Sequence, residues 1–269
     1  MSRSWFSIGI LLAWVLCAVV APWFSSASNI IDLATILHSP STAVWMGFDD
    51  LGRPVAQRLL LGARTSLAVS LAVVSCSVIL GTLVGATAGY RGGATDRVLS
   101  ALIDVVLAFP GLLLAIALAG ILGPGLSNVV IALVAVGWVG YARLVRAQVM
   151  SLKQRDHVRA ARAIGLSAWR IVWRHILPLT LAPILVEATF GIAAVIMAEA
   201  GLSFLGLGVQ PPQASWGSMI RDGARYMLIT PHMVLVPGLT LMLVVLAVNL
   251  TGDRLRDWLD VRSKDRRGE

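Results

Sequence analysis

Long uninterrupted apolar runs, rather than alternating patterns, dominate the hydrophobic and polar positions along this chain. A helix needs about 20 apolar residues to cross the hydrocarbon layer of a membrane. Six runs are long enough, at residues 5–24, 64–89, 98–122, 126–148, 176–200 and 232–252. A membrane β-barrel would instead show short segments in which lipid-facing and lumen-facing residues alternate. The pattern therefore predicts an all-α protein with six transmembrane helices.

The composition supports a membrane protein. Hydrophobic residues make up 57% of the chain and charged residues 13%, and the mean hydropathy is +0.82. A soluble domain of ordinary composition carries about 25% charged residues. The two cysteines, Cys17 and Cys76, both lie inside apolar runs. They indicate neither a disulfide framework nor a thiolate metal site.

The first apolar run has an alternative interpretation as a cleaved signal peptide. Arg3 precedes this run, and the small residues "SSAS" follow it. The apolar core of a signal peptide is usually about 7–15 residues long, and this run is longer. We therefore favour a retained transmembrane anchor.

The distribution of basic residues predicts the orientation of the chain. With the N-terminus in the cytoplasm, the few basic residues outside are Arg53, Arg58, Arg64, Arg221 and Arg225, out of 22 lysines and arginines. Basic loops are retained in the cytoplasm, so this asymmetry favours an N-in, C-in topology. It also explains the net charge of +8 and the pI near 10.7 without a nucleic-acid partner.

The basic segment "RAARAIGLSAWRIVWRHILP" (residues 159–178) interrupts the apolar runs on the cytoplasmic side. Asp156 is expected to cap a first short helix, because its side chain can accept a bond from a free backbone N–H. Gly165 is expected to end that helix in the left-handed region, and Ser167 to cap a second. Pro178 either ends the pattern or begins the next membrane helix. The segment thus predicts two short helices with a bend at Gly165.

Each of these short helices has a predicted apolar-leaning face. The two faces comprise His157, Ala160, Ala161 and Ile164, and then Ala168, Ile171, Val172 and His175. The helices could lie on lipid headgroups or could form a docking surface for a cytosolic protein. The small Ala160–Ala161 pair favours docking, because it permits another backbone to approach closely.

Three stretches together resemble the permeases of ABC importers, and in particular the shorter permease of the dipeptide, oligopeptide and nickel importers. The cytoplasmic segment, with its Ala-Ala pair, a Gly four residues later and a terminal Leu-Pro, resembles the EAA motif of that family. The stretch "FDDLGRPVAQRLLLGARTSL" is similar to the family's Gly-Thr-Asp-x-x-Gly-Arg-Asp region. The stretch "AGLSFLGLGVQPPQASWGSMI" resembles the segment after the fifth span. The resemblance covers nearly the whole chain.

This resemblance implies a type I ABC importer permease in the bacterial inner membrane, with six transmembrane helices and cytoplasmic coupling helices. The implied partners are a homologous second permease, two ATP-binding subunits that hold ATP and Mg²⁺, and an extracytoplasmic substrate-binding protein, together with membrane lipid. The residues implied to couple to the ATPase are Arg159, Ala160, Ala161, Ile164, Gly165, Ser167 and Arg170.

The chain departs from the family pattern at several positions. Arg159 stands where the motif has Glu, so a salt bridge made by that Glu is absent or replaced. Phe48 and Pro54 replace the usual Thr and Asp of the outer stretch, and Leu179 replaces a frequent Asn. The first departure concerns coupling to the ATPase, and the others concern the substrate.

No catalytic machinery is evident in the sequence. Lys153 and Lys264 are the only lysines, and neither follows a Gly-rich turn, so the chain has no P-loop for ATP. The metalloprotease pattern HExxH and the hydrolase pattern GxSxG are also absent. The sequence therefore predicts no catalytic residue, no metal site and no cofactor within this chain. Energy must come from a partner or from an ion gradient.

Two backbone features lie within the apolar runs. Gly81, Gly85 and Gly89 are spaced four apart and predict a helix face that packs closely against another helix, in this subunit or in a partner. Pro110 and Gly111 are expected to bend the third span, because proline cannot donate a helical hydrogen bond.

Acidic residues within the runs and polar residues of the outer loops are the remaining candidates for function. Charges inside a membrane are costly, so such residues are expected to face the helix bundle or a wet cavity. The candidates for the substrate path are Glu187, which is nearest mid-membrane, Glu199 and Asp104. The expected contacts with an outer binding protein are Asp50, Arg53, Trp216 and Arg221.

The predicted organisation has three parts. They are an anchor with an outer segment (1–63), a five-helix permease core (64–252) and a basic cytoplasmic tail (253–269). The core contains the coupling segment 150–176 and the outer loop 201–231. The expected function is alternating-access import of peptides or similarly sized solutes. A nickel, metallophore or glutathione importer of the same family and an ion-coupled secondary transporter stay open as alternatives.

Overall fold

A computed structural model describes residues 2–24, 30–42 and 44–265, and this part of the chain contains α-helices and no β-strand. The helices are α1 (Ser2–Val20), α2 (Val55–Arg91), α3 (Gly93–Leu107), α4 (Gly111–Leu122), α5 (Leu126–Leu152), α6 (Asp156–Ala163), α7 (Ala168–Ile171), α8 (Leu177–Phe204), α9 (Trp216–Ala224) and α10 (His232–Asp265). The "SSAS" stretch, on which the signal-peptide alternative depends, lies outside the described residues.

The membrane helices follow the predicted runs, with different boundaries. Five helical stretches in the described ranges could cross a membrane, and a sixth arises if the bent pair α3–α4 counts as one span. Helix α2 begins at Val55 rather than residue 64, directly after Pro54, whose fixed φ suits a helix start. Helix α10 continues through the predicted tail to Asp265 instead of ending at residue 252.

The third predicted span (98–122) is not one helix. Helices α3 and α4 meet at an angle of 84°. Pro110 has no N–H to donate to the carbonyl of Val106, and the N–H of Phe109 closes the last turn on that carbonyl instead, at 3.3 Å. Helix α4 then restarts at Gly111. The expected bend is present, but it is a break rather than a kink.

One compact unit comprises Met1–Ala72, Ile116–Leu133 and Ile192–Thr251. Helix α9 is buried in this unit and begins with a capping box, in which Ser215 and Ser218 each accept from the backbone N–H of the other. The core around this helix is apolar and includes Trp14, Val55, Ala193, Ile196, Trp216, Met219 and Val244. Residues 214–219 of the outer loop are therefore packed into the protein.

The other unit comprises Val73–Ala115, Val134–Gly191 and Gly252–Glu269. In this unit the glycine face of α2 packs against α5 of the same chain. A Cβ added at Gly81 would lie 2.6 Å from the carbonyl oxygen of Trp138, and one at Gly89 would lie 2.8 Å from that of Arg146. A Cβ at Gly85 would collide with the carbonyl oxygen of Ala142. The small residues thus serve packing within the subunit.

Replacing Gly85 with alanine is expected to lower the free energy of unfolding by about 1–3 kcal/mol, because the new methyl group meets backbone that cannot rotate away. Gly140→Ala is the matched control, since a Cβ at Gly140 in α5 meets nothing within 4 Å. Thermal unfolding of the detergent-solubilised protein measures both. A melting temperature that is unchanged in Gly85→Ala would contradict the close α2–α5 contact.

Candidate coupling surface, outer segment and intramembrane acids

The first helix of the cytoplasmic segment begins one residue earlier than predicted, at Asp156. The N-cap of α6 is Arg155, whose side chain makes no capping hydrogen bond. The carbonyl oxygen of Arg155 accepts from the N–H groups of Val158 and Arg159, both at 3.0 Å. The predicted N-cap, Asp156, is therefore wrong: it is the first helical residue. At this position its negative charge interacts favourably with the positive end of the helix dipole.

The predicted bend at Gly165 is confirmed. Gly165 has φ +81°, which is the left-handed region that glycine enters without a Cβ clash. Its N–H donates to the carbonyl of Arg162 at 3.0 Å, and the N–H of Leu166 donates to that of Ala161 at 3.2 Å. These two bonds form a Schellman motif, which satisfies the last carbonyls of α6.

The predicted apolar-leaning face of α6 is exposed at three of its four positions. Val158 and Ala161 are buried, whereas His157, Ala160 and Ile164 are exposed. Val158 and Ala161 lie in a core cluster with Ala86, Val145, Val149, Leu152, Ile171, Ile176, Leu177 and Ile184. Neighbouring residues on a helix point about 100° apart, so the Ala160–Ala161 pair is divided between the core and the surface.

Apolar side chains are exposed around the bend at Gly165. Ile164 is 77% exposed, next to the exposed Gly165. On α7, Trp169 is also exposed, and its ring lies 5.0 Å from that of Trp173. These side chains form a protruding apolar surface, with Arg159 and Arg170 also exposed along the segment.

The second short helix is not a separate element. Ser167 is the N-cap of α7 as predicted, but its side chain makes no capping bond. A single π-helical turn (Val172–Ile176) joins α7 to α8, and the N–H of Leu177 bonds to the carbonyl of Val172. Pro178 cannot donate to the carbonyl of Arg174, which accounts for the local departure from α-helical bonding.

Arg159, which replaces the family's Glu, makes one weak contact within the chain. Its guanidinium donates to Oε1 of Gln154 at 3.4 Å. Arg162 lies over the ring of Tyr90, with 5.8 Å between the guanidinium carbon and the ring centroid. In the part of the chain that the structure describes, neither arginine takes part in an ion pair.

Two contacts near the coupling segment were not predicted from the sequence. Arg146 of α5 forms a bidentate pair with Asp96 of α3, with Nη2 donating to Oδ2 at 2.8 Å. Lys153 donates to the carbonyl oxygen of Gly89 at 2.7 Å, at the C-terminal end of α2. The partners are far apart along the sequence, so no local pattern could indicate them.

In the outer segment, Asp49 is the centre of a buried charged cluster. Its carboxylate accepts from the backbone N–H groups of Leu51 and Arg53 at 2.9 and 2.8 Å, and from Nε of Arg53 at 2.7 Å. Nε of Arg58 lies 3.3 Å from the same carboxylate. Gly52, with φ +70°, permits the tight turn between these groups.

Two predicted contacts with an outer binding protein are therefore wrong. Arg53 is 6% exposed because it is held by Asp49. Trp216 is fully buried, packs against Trp14 at 6.4 Å, and donates to the carbonyl of Leu59 at 3.1 Å. A Cβ at Gly62 would overlap the Trp216 ring, so this glycine makes room for it. Both side chains therefore lie in the interior, where they stabilise the outer segment, and neither is available for contact at its surface.

The other two predicted contacts are partly exposed. Arg221 donates to Asp222 at 3.1 Å and to the carbonyl of Ser203 at 3.3 Å. Burial of the Asp50 carboxyl, next to the charge of Asp49, raises its pKa above the ordinary value. The sequence did not single out Leu228 and Ile229, which are apolar and exposed at the surface of the outer loop.

The three acids in the membrane helices have different surroundings. Glu199 is buried and accepts from Oγ of Ser203 at 2.7 Å, which fits a structural role. Glu187 on α8 and Asp104 on α3 are exposed at the surface of the chain rather than inside its bundle. Both are therefore accessible to substrate or to a partner subunit.

Comparison with known proteins gives a family match. The family of binding-protein-dependent transport system inner membrane components matches residues 81–265. A dipeptide transport system permease of Alkalihalophilus pseudofirmus is 43% identical over 95% of this chain and 84% of its own length. A glutathione transport system permease of Pectobacterium atrosepticum is 43% identical over 88% of this chain and 79% of its own length.

A putative peptide transport system permease of Brucella suis is 44% identical over 98% of this chain and 90% of its own length. Among solved structures, the inward-facing methionine ABC transporter MetNI matches with a TM-score of 0.59 at 20% identity. This match covers 76% of this chain and 97% of the other. At that identity the structural match establishes a shared fold, which is the type I importer permease fold predicted from the sequence.

Proposed function

This chain belongs to the family of inner membrane components of binding-protein-dependent transport systems, and we propose that it carries peptides or solutes of similar size. It is a multi-pass permease subunit of an ATP-driven importer in the bacterial inner membrane. One observation carries the proposal of substrate. Relatives named for dipeptide, glutathione and peptide transport are 43–44% identical over most of the chain.

Two alternatives are less well supported. An ion-coupled secondary transporter needs no binding protein, whereas the family is defined by its dependence on one. The proposal of a nickel or metallophore substrate is not supported by side chains that could bind the metal directly. The described residues contain no cluster of three or more His, Cys, Asp or Glu side chains that could hold a metal.

The coupling segment is proposed to dock onto a cytosolic ATPase subunit, two of which would serve the pair of permeases. The exposed side chains of His157, Ala160 and Ile164 would enter a cavity on the ATPase, with Arg159 and Arg170 beside them. ATP and Mg²⁺ would be bound by those subunits. The buried residues Val158 and Ala161 would hold the surface in place from within.

The continuity of α7 with α8 suggests how ATP binding would move the transport path. Helix α7 carries Arg170 beside the docking surface, and a single π-turn with no loop connects it to the membrane helix α8. A displacement at Ile171 is therefore transmitted along α8 to Glu187, roughly 24 Å away at 1.5 Å per residue. Closing and opening of the ATPase pair would thus bias two states of the permease pair.

Glu187 is proposed to contact substrate, because it is an exposed acid on α8 and most peptides carry an N-terminal ammonium group. Replacing it with glutamine is expected to slow peptide uptake by the assembled importer about tenfold or more, because the variant loses one hydrogen bond between charged groups. Uptake of labelled peptide into proteoliposomes that enclose ATP measures this effect.

Asp253→Asn is the matched control, because Asp253 is also an exposed acid on a membrane helix but lies in α10 beyond the predicted span. Co-purification of the ATPase should be normal in both variants. Equal uptake by wild type and Glu187→Gln, or an equal loss in both variants, would contradict a specific role for Glu187.

A further inference from the structure

A long apolar groove lies between the C-terminal part of α2 and the continuous α7–α8 helix. Its first part has a volume of about 470 Å³. Its lining residues are Thr82, Leu83, Ala86, Thr87, Tyr90, Arg91, Ser167, Ala168, Trp169, Val172, Trp173 and Leu177. A second part of about 350 Å³ continues it along the same helices and shares Thr82, Leu83, Trp173 and Leu177.

The position of the groove relates it to the membrane. Its apolar floor is formed by the ends of the second and fifth predicted spans, which lie within the hydrocarbon layer. Its rim is formed by Tyr90, Arg91 and Trp169, where the apolar run of α2 ends and the basic cytoplasmic segment begins. The groove therefore extends from the cytoplasmic interface into the hydrocarbon, along the direction of an acyl chain.

The rim combines indole rings with positive charge. Trp169 and Trp173 form a tilted pair with 5.0 Å between ring centroids, and amphipathic indoles are typical of the headgroup level. Arg91 is exposed and makes no hydrogen bond or ion pair with the described residues. Lys153 and Arg162 add charge next to it, at Gly89 and Tyr90. No acidic side chain lines either part of the groove.

We propose that this groove binds an anionic phospholipid of the cytoplasmic leaflet. One acyl chain lies along the apolar floor between α2 and α8, and the phosphate lies at Arg91, beside Trp169 and Trp173. Basic pockets between membrane helices on the cytoplasmic side are suited to anionic headgroups. The positive charge of Arg91, with Lys153 and Arg162 nearby, favours a headgroup with net negative charge over a zwitterionic one.

Lipid retention tests the proposal in the assembled importer. The complex is reconstituted into nanodiscs of phosphatidylcholine and phosphatidylglycerol, and the lipids that remain bound after detergent extraction are counted by native mass spectrometry. Arg91→Gln is expected to lower the ratio of retained phosphatidylglycerol to phosphatidylcholine about fivefold, because it removes one positive charge at the membrane interface. Arg97→Gln is the control, because Arg97 is exposed on the same side but lies outside the groove.

A second measurement locates the lipid. Brominated phosphatidylglycerol is expected to quench tryptophan fluorescence more strongly than brominated phosphatidylcholine, and the difference should disappear in the double variant Trp169→Phe, Trp173→Phe. Three results would overturn the proposal. The first is an equal loss of phosphatidylglycerol retention in Arg91→Gln and Arg97→Gln, and the second is equal retention of both lipids by wild type. The third is a disulfide between a Trp173→Cys variant and the second permease, which would show that this subunit occupies the groove.

Discussion

An importer that carries glutamate in place of Ile164 should assemble in the membrane but lose its ATPase subunits. Ile164 is 77% exposed at the bend of the coupling segment, so the change costs the permease itself little. In the docked state the new carboxylate would be buried against the ATPase without a partner. Losing one central apolar contact of an interface costs about 2 kcal/mol or more, which is at least a 30-fold weaker association. Co-purification of tagged ATPase with the permease measures this loss.

Leu228→Glu is the matched control for Ile164→Glu. Leu228 is also an exposed apolar residue, and it lies in the outer loop rather than in the cytoplasmic segment. This variant should retain the ATPase fully. If Ile164→Glu retained the ATPase and its substrate-stimulated activity, docking at the Gly165 bend would be refuted.

Replacing Asp49 with alanine is expected to unfold the outer segment. Arg53 and Arg58 are both buried against this carboxylate. Without it, Arg58 would be a buried charge with no ion-pair partner among the described residues, and Arg53 would keep only the longer contact of Nη2 with Oδ1 of Asp50, at 3.7 Å. Breaking a buried ion pair by removing one partner costs about 3–5 kcal/mol. Two backbone N–H groups, of Leu51 and Arg53, would also lose their acceptor. Limited proteolysis of intact spheroplasts, in which the protease reaches only the outer side of the membrane, measures the exposure of this segment.

Asp32→Ala provides the comparison for Asp49→Ala. Asp32 is an exposed carboxylate of the same segment and accepts only from the backbone N–H of Ala34, at 3.0 Å, among the described contacts of its side chain. Its loss should cost about 1 kcal/mol and leave the proteolysis pattern unchanged. Identical patterns for Asp49→Ala and wild type would show that the buried cluster does not hold the segment together.

The sequence predicts those features that depend on local chemistry. Apolar length identifies the membrane helices, the charge asymmetry orients them, and Gly165 ends α6 because only glycine enters the left-handed region without strain. A bend at Pro110 was also indicated, because a missing N–H is a local property, but the helix is broken there rather than bent. The angle of 84° at this break depends on the surrounding packing and could not be predicted.

Features that depend on contacts between distant residues were not predicted correctly. Trp216 was expected to contact the outer binding protein, but it is buried, and Gly62, far away in the sequence, leaves space for its ring. Arg53 looked like a surface charge, but Asp49 neutralises it in the interior. On α6 the sequence indicated helical spacing and an apolar-leaning face, but which residues of this helix are buried depends on the cluster around Val158, which comes from other helices.

The most direct test of this account is the energy source of transport. The chain, its partner permease and the two ATPase subunits are reconstituted in proteoliposomes, and peptide uptake is followed in the presence of the binding protein. We expect uptake only with enclosed ATP, and none with the Ile164→Glu variant under the same conditions. Uptake by the permeases alone on a proton gradient, without ATPase or ATP, would contradict the account.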